Sequence, residues 1–381
     1  MKIAVIGNLP GPISINGPGG TEIFAHNLVK ILKNHSSNQV FLFASGDSDY
    51  KESLLTFPSS QEIALNKNLS TTHNNNKIIA YKLSLFSKVV EMSESFDIIH
   101  NNSYETFLFF PFSSLIKKPV IHTVHNVFFS QNEFGIYAEK FLPKKDKLIF
   151  VSNDALQHSV GTYNKNFIYN GINIENYPYN ENASGGIIWM SRASPKKGLE
   201  TALEVSINLN LHINIITRIS SKDEDKFLNK NLSIFFDKKQ SFSVSINSEL
   251  SERVKLLQTS KLFLFPIEWE EPFGLVMIEA MACGTPVVAF ARGSVPEIIK
   301  DGVTGFIINS SDTDIRGNFI INKTGIEGLK EAINRIYSMP EADYKKMRQN
   351  CRTHVEKNFT IERMVSDYEK LYQEIIDKNK K

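Results

Sequence analysis

Two glutamates, Glu271 and Glu279, flank a Pro-Phe-Gly bend and the start of a helical apolar pattern, with seven residues between them. This spacing places Glu271 just ahead of the helix and Glu279 about one and a half turns inside it, so both carboxylates can face one cleft. A carboxylate has two acceptor oxygens and can bind adjacent sugar hydroxyls. The amides of Phe273, Gly274 and Leu275 can bind a phosphate or sugar oxygen at the helix start. Residue type alone leaves open that each glutamate is only a solvated surface residue.

These residues lie in a stretch whose pattern predicts a strand, a loop, a helix and a second strand. Lys261–Pro266 is a short apolar run ended by proline, which is typical of a buried parallel strand. Leu275–Ala282 has helical spacing with Gly284 as a stop signal, and Val287–Phe290 is another apolar strand. This order favours a right-handed parallel unit. The loop that carries Glu271 is therefore expected at the carboxyl edge of a sheet, where open α/β sheets bind ligands.

A basic loop provides a second candidate site. Arg192 and Lys197 lie between a predicted strand, Gly186–Met190, and a predicted helix, Leu199–Ile207. Arginine can bind a diphosphate through two parallel hydrogen bonds, and lysine supplies a compact positive charge. A solvated basic turn explains the loop equally well when it is considered by itself.

A glycine-rich loop follows the first predicted strand, Lys2–Ile6, and precedes a helical pattern that begins at Glu22. Gly19 and Gly20 stand just ahead of that helix, and their lack of side chains would let the backbone approach a phosphate or an acceptor. The glycines do not match the dinucleotide-binding fingerprint, and a flexible surface turn is the alternative.

Histidines follow or end predicted strands in the same half of the chain. His125 comes directly after Val120–Val124, and its imidazole can hydrogen-bond a sugar hydroxyl or a leaving phosphate. The alternative for His125 is a structural hydrogen bond at a strand end. His100 also ends a strand and is the second choice, whereas His122 points differently and is expected to be a buried neighbour.

Length and composition indicate a globular protein of two domains. The chain has 381 residues, 41% of them hydrophobic and 22% charged, which exceeds the size at which a single core stops growing. A formal net charge of +2 is too small to drive nucleic-acid binding. The basic run Lys144–Lys147 could make weak peripheral contact with an anionic membrane, although a solvated loop is the simpler explanation.

The cysteines, the amino-terminal sequence and the hydropathy favour a cytoplasmic location. Cys283 and Cys351 show no metal-ligand spacing and no sign of a disulfide, which fits a reducing compartment. The first residues resemble a strand and a turn rather than a cleaved signal peptide. No apolar run approaches the roughly 20 residues that a membrane-spanning helix requires.

Several motifs resemble those of the retaining glycosyltransferases of the large family four. Glu271-Pro-Phe-Gly-Leu-Val-Met-Ile-Glu279 resembles the paired-glutamate signature of that family. Ser191-Arg-Ala-Ser-Pro-Lys-Lys-Gly198 resembles its Gly-Arg…Lys-Gly motif, with serine in place of the usual first glycine. The Gly-Gly-Thr-Glu sequence at Gly19 and the segment that ends at His125 resemble loops of its first domain.

The resemblance implies the glycosyltransferase B fold, in which two Rossmann-like, parallel-sheet α/β domains face a cleft. It also implies a retaining transfer of a sugar from a UDP-, GDP- or ADP-linked donor to an acceptor hydroxyl, in glycan or glycolipid biosynthesis. The expected partners are a nucleotide-sugar donor and a carbohydrate or lipid-linked acceptor, without nucleic acid. No metal and no cofactor are expected to be required.

The same resemblance implies roles for the residues of the second domain. Glu279 corresponds to the glutamate that binds the donor ribose, and Glu271 to the one beside the donor sugar. The amides of Phe273 and Gly274 correspond to those that contact the sugar and the phosphate, and Leu275 follows them in the same motif.

Other motif residues are implied to contact the donor or the acceptor. Arg192 and Lys197 correspond to the diphosphate ligands. His125 corresponds to the histidine that contacts the donor sugar, and Gly19 and Gly20 correspond to donor or acceptor contacts.

The chain is predicted to divide into a first domain over 1–176, a linker over 177–186 and a second domain over 187–359. A terminal helix over 360–378 is expected to cross back to the first domain, because its apolar residues mark one face and the family has such a helix.

Two segments inside the second domain depart from the regular pattern. Ser220–Asn231 is expected to be a charged connection, and Ser310–Thr324 an insertion with a short apolar strand.

Other functions on a two-lobed architecture stay open. A nucleotide-sugar epimerase would act without an acceptor, and a glycogen-type phosphorylase would need a cofactor lysine for which the sequence gives no signal. A non-catalytic sugar-binding protein would usually be exported, and the missing signal peptide argues against it.

Overall fold

The structure is a computed structural model that describes residues 1–17, 19–34, 37–55, 57–64, 71–238 and 241–379. The chain forms two compact units, one of Met1–Gly171 with Ile361–Lys381 and one of Ile172–Thr360. Each unit is a parallel sheet covered by helices, as a Rossmann-like domain requires. This confirms the predicted α/β fold class.

Over its described residues, the first unit contains a seven-stranded sheet in the order β3-β2-β1-β4-β5-β6-β7, and neighbouring strands pair in parallel. The central strands are buried along their whole length because helices cover both faces of a parallel sheet. The strands are β1 (Lys2–Ile6), β2 (Gln39–Phe43), β3 (Leu54–Leu55), β4 (Ile98–Asn101), β5 (Val120–Val124), β6 (Lys147–Phe150) and β7 (Lys165–Phe167). The helices before residue 171 are α1 (Gly20–Asn34), α2 (Ser60–Ile63), α3 (Thr71–Met92), α4 (Phe110–Ser113), α5 (Asn132–Phe141) and α6 (Asn153–Gln157).

The second unit, within the same described ranges, has a six-stranded parallel sheet in the order β10-β9-β8-β11-β12-β13. Its strands are β8 (Ile187–Arg192), β9 (Ile213–Arg218), β10 (Phe242–Ile246), β11 (Leu262–Phe265), β12 (Val287–Phe290) and β13 (Gly305–Ile308). Its helices are α7 (Leu199–Leu209), α8 (Lys222–Lys238), α9 (Leu250–Thr259), α10 (Leu275–Ala282), α11 (Val295–Ile298), α12 (Gly325–Tyr337) and α13 (Glu341–Asn358). The strand order changes direction between β8 and β11, which are neighbours in the sheet. The loops that follow these two strands therefore lie side by side at its carboxyl edge.

The last helix, α14 (Ile361–Asn379), belongs to the first unit. Its apolar face joins the buried cluster of β1 and α1 through side chains such as Met364 and Leu371. Polar contacts add to this packing, because the Tyr372 hydroxyl lies 2.6 Å from Nδ1 of His100 and the Tyr368 hydroxyl lies 2.9 Å from the hydroxyl of Thr123. The terminal helix is therefore part of the core of the first unit.

A fully buried arginine on α13 ties together helix ends in the second unit. Arg348 donates to the carbonyl oxygens of Gln258 at 2.8 Å and Ser260 at 3.1 Å, at the end of α9. It also donates to the carbonyl oxygens of Cys283 at 3.3 Å, at the end of α10, and Asn180 at 2.9 Å. Carbonyl groups at a helix end lack intrahelical partners and carry partial negative charge. The guanidinium therefore supplies their hydrogen bonds and also a favourable positive charge.

Residues 172–186 group with the second unit, whereas the sequence suggested that the first domain extends to 176 and that a linker follows. The backbone carbonyl of Tyr177 accepts a hydrogen bond of 2.6 Å from Arg352, and the amide of Asn180 donates to Cys283 at 3.2 Å. The amide of Gly185 donates to Thr259 at 2.8 Å. These backbone contacts attach the segment to α9, α10 and α13.

Two segments of the second unit differ from the sequence-based expectation. Ser220–Asn231 was expected to be a connection, but most of it lies in α8, whose Leu228 packs in the core. The prediction of a short apolar strand in Ser310–Thr324 was wrong. Over this fully described stretch, the β-pairing consists of one isolated bridge between Ser311 and Asp314. The insertion is instead held by side-chain contacts.

Candidate functional site

The loop between β11 and α10 carries the first glutamate at the carboxyl edge of the second sheet. Gly274 precedes the first turn of α10 with a positive φ of 75°, a conformation that favours glycine. A Cβ atom at Gly274 would lie 2.6 Å from Cε of Met277 and 3.2 Å from Cγ of Glu271. The absence of a side chain therefore lets the helix start close to Glu271. Among the first-turn amides of α10, that of Met277 donates to the carbonyl oxygen of Gly274 at 3.0 Å, whereas the helix itself offers no acceptor to those of Leu275 and Val276.

Lys197 and Glu271 form an ion pair in this loop region. Nζ of Lys197 lies 3.0 Å from Oε2 of Glu271, and each side chain is 14% exposed. The indole nitrogen of Trp269 donates to the same carboxylate oxygen at 2.8 Å. Nζ of Lys197 also lies 4.2 Å from the centroid of the Trp269 ring, which adds a cation–π attraction. Lysine, tryptophan and glutamate thus form one compact group.

Backbone contacts explain why Lys197 reaches this position. Its carbonyl oxygen accepts a hydrogen bond of 3.1 Å from the indole of Trp189 on β8. Gly198 has a positive φ of 77°, and a Cβ atom there would lie 2.2 Å from the carbonyl oxygen of Pro266. The amide of Glu268 donates to Lys196 at 2.9 Å. The loops after β8 and β11 therefore hold each other in place.

Arg192 lies at the end of β8, but the structure does not bring it into the group around Lys197. Its side chain is 63% exposed, and its guanidinium lies 3.9 Å from a carboxylate oxygen of Glu224 on α8. Glu224 is itself held by hydrogen bonds from the amide and hydroxyl of Ser220, at 2.7 and 2.8 Å. The weak contact leaves the guanidinium able to turn toward an anion.

Glu279 lies on α10 and is held by a tyrosine from the segment that follows the first unit. The hydroxyl of Tyr177 donates to Oε1 of Glu279 at 3.0 Å. Burial raises the pKa of Glu279, while the charge of Arg253 and the hydrogen bond from Tyr177 oppose that rise. Burial also raises the pKa of Tyr177 well above its usual value, so the phenol keeps its proton for this hydrogen bond.

Phe273 and Leu275 differ in accessibility. The Phe273 side chain is buried, and its carbonyl oxygen accepts a hydrogen bond of 2.8 Å from the hydroxyl of Ser294. Leu275 is half-buried at the first position of α10. The Phe273 side chain is therefore not available to a ligand, whereas part of the Leu275 side chain is.

The first unit holds the remaining predicted residues. Gly19 lies directly before α1, where a Cβ atom would lie 2.8 Å from Oε2 of Glu22, and Gly20 is the exposed first residue of the helix. His125 follows β5, and its ring packs edge-on against Phe24 with the ring centroids 4.7 Å apart. Nε2 of His125 is inaccessible and has no hydrogen-bond partner among the described residues. Burial lowers the pKa of His125 to about 3, so the ring is neutral.

His100 and His122 of this unit make structural contacts. His100 is fully buried, and its ring nitrogens are engaged at 2.6 Å by the hydroxyls of Tyr372 and Thr123. It therefore lacks a nitrogen for a ligand, which removes the second choice made from the sequence. His122 is buried 3.2 Å from Asp146, as expected of a core neighbour.

Sequence reasoning missed Trp269 and Tyr177, which hold the two glutamates. Trp269 stands two positions before Glu271, so an aromatic residue beside the motif was a usable signal. Tyr177 gave none, because it is 102 positions away from Glu279.

Within the described ranges of the chain, no group of three or more His, Cys, Asp or Glu side chains could hold a metal ion. Among the same residues, no helix is both long and apolar enough to span a membrane.

Family models match both halves of the chain. The model described as Glycosyltransferase Family 4 matches residues 18–176, and the model described as Glycosyl transferases group 1 matches residues 181–354. The two matches together contain every site residue predicted from the sequence.

Relatives match the chain over different lengths. N-acetyl-alpha-D-glucosaminyl L-malate synthase of Bacillus anthracis is 36% identical over 129 residues, which is 33% of this chain and only 30% of that protein. A protein described as an uncharacterized glycosyltransferase of Methanocaldococcus jannaschii is 26% identical over 373 residues, covering 94% of this chain and 95% of that protein.

Solved structures share the fold at low sequence identity. A sucrose-phosphate synthase from Thermosynechococcus elongatus has a TM-score of 0.78 at 17% identity and covers 99% of both chains. Anabaena HepE in complex with UDP and glucose has a TM-score of 0.71 at 18% identity, covering 98% of this chain and 100% of that chain. With the family models and the site motifs, these similarities show that the chain belongs to the family 4 glycosyltransferases of the glycosyltransferase B fold.

Proposed function

We propose that this glycosyltransferase moves a sugar from a nucleotide diphosphate sugar to an acceptor hydroxyl with retention of the anomeric configuration. The observation that carries the proposal is the pair of Lys197 and Glu271 directly before the amino terminus of α10. It combines a cation, a carboxylate and the amides of Leu275 and Val276, which have no acceptor within the helix, and these groups suit a diphosphate joined to a sugar. The fold shared with HepE, whose structure contains UDP and glucose, supports the same donor class.

The cations would stabilise the leaving diphosphate. Negative charge develops on the diphosphate as its bond to the anomeric carbon of the sugar breaks, and preorganised cations and amides lower the free energy of that transition state. Lys197 is held by Glu271 and Trp269 before the donor arrives, so little reorganisation is needed. Arg192 is more exposed and would turn from Glu224 toward the diphosphate.

The glutamates would bind the sugar and the ribose. Glu271 would lie beside the anomeric centre, where its negative charge stabilises an oxocarbenium-like transition state. The bond between the anomeric carbon and the diphosphate oxygen would break while the acceptor oxygen bonds to that carbon from the same face, and the acceptor hydroxyl would give its proton to the departing diphosphate oxygen. Glu279 would accept hydrogen bonds from the ribose hydroxyls with the carboxylate oxygen that Tyr177 does not occupy.

The residues of the first unit would contact the donor sugar and the acceptor. Nε2 of His125 is buried and unpartnered in the free protein, so it would hydrogen-bond a sugar hydroxyl only where donor binding exposes it. The backbone at the half-buried Gly19 and the exposed Gly20 would approach the acceptor or the donor. The acceptor class that we propose is a carbohydrate or a lipid-linked carbohydrate, with at most weak peripheral membrane contact and with no metal required.

A thermal-shift panel of UDP, GDP, ADP and their sugars tests the proposed donor. A ligand at one hundred times its dissociation constant should add about 2.7 kcal/mol to the free energy of unfolding. NMR of the transfer product with the identified donor should then show the anomeric configuration of the donor. Conversion of the donor alone into another sugar nucleotide would indicate an epimerase. Binding without any nucleotide release in mixed acceptors would indicate a sugar-binding protein.

Replacing Glu279 with alanine should mainly weaken donor binding, because the ribose loses its acceptor while Lys197 and Glu271 remain. Tyr177→Phe should weaken it less, because that variant removes one hydrogen bond that orients the carboxylate. We expect about a tenfold loss of donor affinity for Tyr177→Phe, which is the effect of one hydrogen bond to a charged group. Isothermal titration with the nucleotide measures both, and unchanged affinity of the Glu279 variant would contradict the ribose assignment.

A further inference from the structure

The insertion after β13 makes a two-point contact with the residue that precedes Glu271. Nη1 and Nη2 of Arg316 donate to the two carboxylate oxygens of Glu270, at 2.8 and 2.7 Å. Such parallel hydrogen bonds fix orientation as well as distance. A segment that sequence analysis left without a function therefore reaches the acidic loop.

This contact is part of a closed ion network, which we call the Glu270 network and which consists of Glu270, Arg292, Asp314 and Arg316. Nε of Arg316 donates to Asp314 at 2.8 Å, and Arg292 lies 2.6 Å from the other oxygen of Asp314. Arg292 also contacts Glu270 at 3.2 Å. The two carboxylates balance the two guanidinium groups, so the network suits a structural role better than anion binding.

Geometry within the loops links the Glu270 network to Glu271. The amide of Gly293 donates to Glu270 at 2.7 Å, and the amide of Ser294 donates to the carbonyl oxygen of Glu271 at 2.9 Å. A Cβ atom at Gly293 would lie 2.3 Å from the same carbonyl oxygen, which shows how closely the two loops approach. A shift of Glu270 must therefore move the backbone of Glu271, whose carboxylate contacts Lys197.

The electrostatics agree with a preformed network. Partial burial would raise the pKa of Glu270, but hydrogen bonds from Arg316 and the amide of Gly293 outweigh that effect and lower it. Glu270 is thus held as a carboxylate in the free protein. A single exposed ion pair usually contributes little, whereas two-point contacts within a network are the arrangement that can hold a loop.

We propose that Arg316 is a positioning residue that acts through the Glu270 network to hold Glu271 in the geometry needed for sugar transfer. The proposal rests on the proposed function, since Glu271 is assigned there to the donor sugar. It gives the insertion a purpose: Arg316 touches neither donor nor acceptor but sets the position of the carboxylate that does.

The first test measures how well ordered the loop that carries Glu271 is, in the absence of any substrate. Hydrogen–deuterium exchange of the full chain should show faster exchange of the amides over 269–275 in Arg316→Ala than in wild type, while the exchange of α7 stays unchanged. Arg316→Lys keeps the charge but loses the two-point contact, so its exchange should be intermediate. Arg335→Ala is the matched control, because Arg335 forms an exposed ion pair with Glu331 on α12 and should behave as wild type.

The second test uses kinetics with the donor found in the thermal-shift panel. Arg316→Ala should lower kcat by about tenfold to a hundredfold, the range expected when a reacting group is misplaced by up to about 1 Å, with little change in the donor KM. The same substitution in a Glu271→Gln background should cost less than twofold, because the residue through which Arg316 acts has already lost its charge. Glu270→Gln should resemble Arg316→Ala.

These measurements separate the possible failures. Unchanged exchange over 269–275 in Arg316→Ala would overturn the proposal whether or not transfer is detected. An equal fold loss in the wild-type and Glu271→Gln backgrounds would also overturn it, since Arg316 would then act by another route. A wild-type protein that binds no nucleotide sugar would refute the proposed function but leave the exchange result interpretable.

Discussion

Replacing Lys197 with alanine should lower kcat for sugar transfer by about a hundredfold or more, the loss expected when one preorganised group that stabilises developing charge is removed. The side chain is 14% exposed, so its charge acts where water screens it weakly. Donor affinity should fall less than kcat, because the charge on the diphosphate is greatest in the transition state. Steady-state kinetics at saturating acceptor, with the donor concentration varied, measure both effects.

The control for this substitution is Lys330→Ala. Lys330 forms an ion pair of 2.8 Å with Glu327 on α12 and is not part of the candidate site. It should retain wild-type kcat and KM. Turnover of Lys197→Ala at the wild-type rate, in a protein with an unchanged melting temperature, would show that Lys197 does not stabilise the leaving group.

Replacing Arg348 with alanine should lower the free energy of unfolding by about 4 kcal/mol, because several buried carbonyl groups lose their partner at a cost of about 1–3 kcal/mol each. The cavity left by the side chain adds to that loss. Over the described residues no carboxylate pairs with Arg348, so its charge is balanced by the carbonyl groups at the ends of α9 and α10. The melting temperature should fall by about 10 °C.

Thermal and denaturant unfolding of the full chain check this prediction. Arg348→Lys should be intermediate, since an ammonium group keeps the charge but reaches fewer of the carbonyl oxygens. Arg335→Ala, which removes an exposed ion pair on α12, should change the free energy of unfolding by less than about 0.5 kcal/mol. A melting temperature of Arg348→Ala within one or two degrees of wild type, as a rough limit, would contradict the structural role.

The sequence predicted the parts of the site that local patterns determine. Glu271, Gly274 and Lys197 stand at junctions between strands and helices, and such junctions are visible as changes of hydrophobic periodicity around glycines. Parallel sheets then bring these junctions to one edge, which explains why the predicted loop and the basic loop meet in the structure.

Contacts between distant parts of the chain could not be predicted in the same way. Tyr177 reaches Glu279 across 102 positions, and Arg316 reaches Glu270 across 46. No local pattern specifies which tyrosine or arginine will meet a given carboxylate, because tertiary packing decides it. The same holds for Nε2 of His125, whose loss of hydrogen-bond partners follows from burial rather than from its place after β5.

The failure to predict helix α8 has a simpler cause. Its first turn carries Asp223, Glu224 and Asp225, and this charged composition obscured the apolar spacing of Phe227 and Leu228 that follows. Acidic residues in a first turn are favoured by the helix dipole, so the charge run was itself a helix signal.

The position of α14 at the end of the chain affects how the protein folds during its synthesis. The first unit consists of Met1–Gly171 and Ile361–Lys381, and Tyr368 and Tyr372 are fully buried in it. During synthesis on a ribosome, the residues that complete this core emerge only after the whole second unit. Until α14 emerges, the apolar side chains of β1 and α1 that it covers stay exposed in the nascent first unit. In contrast, Ile172–Thr360 is contiguous and can fold as it emerges.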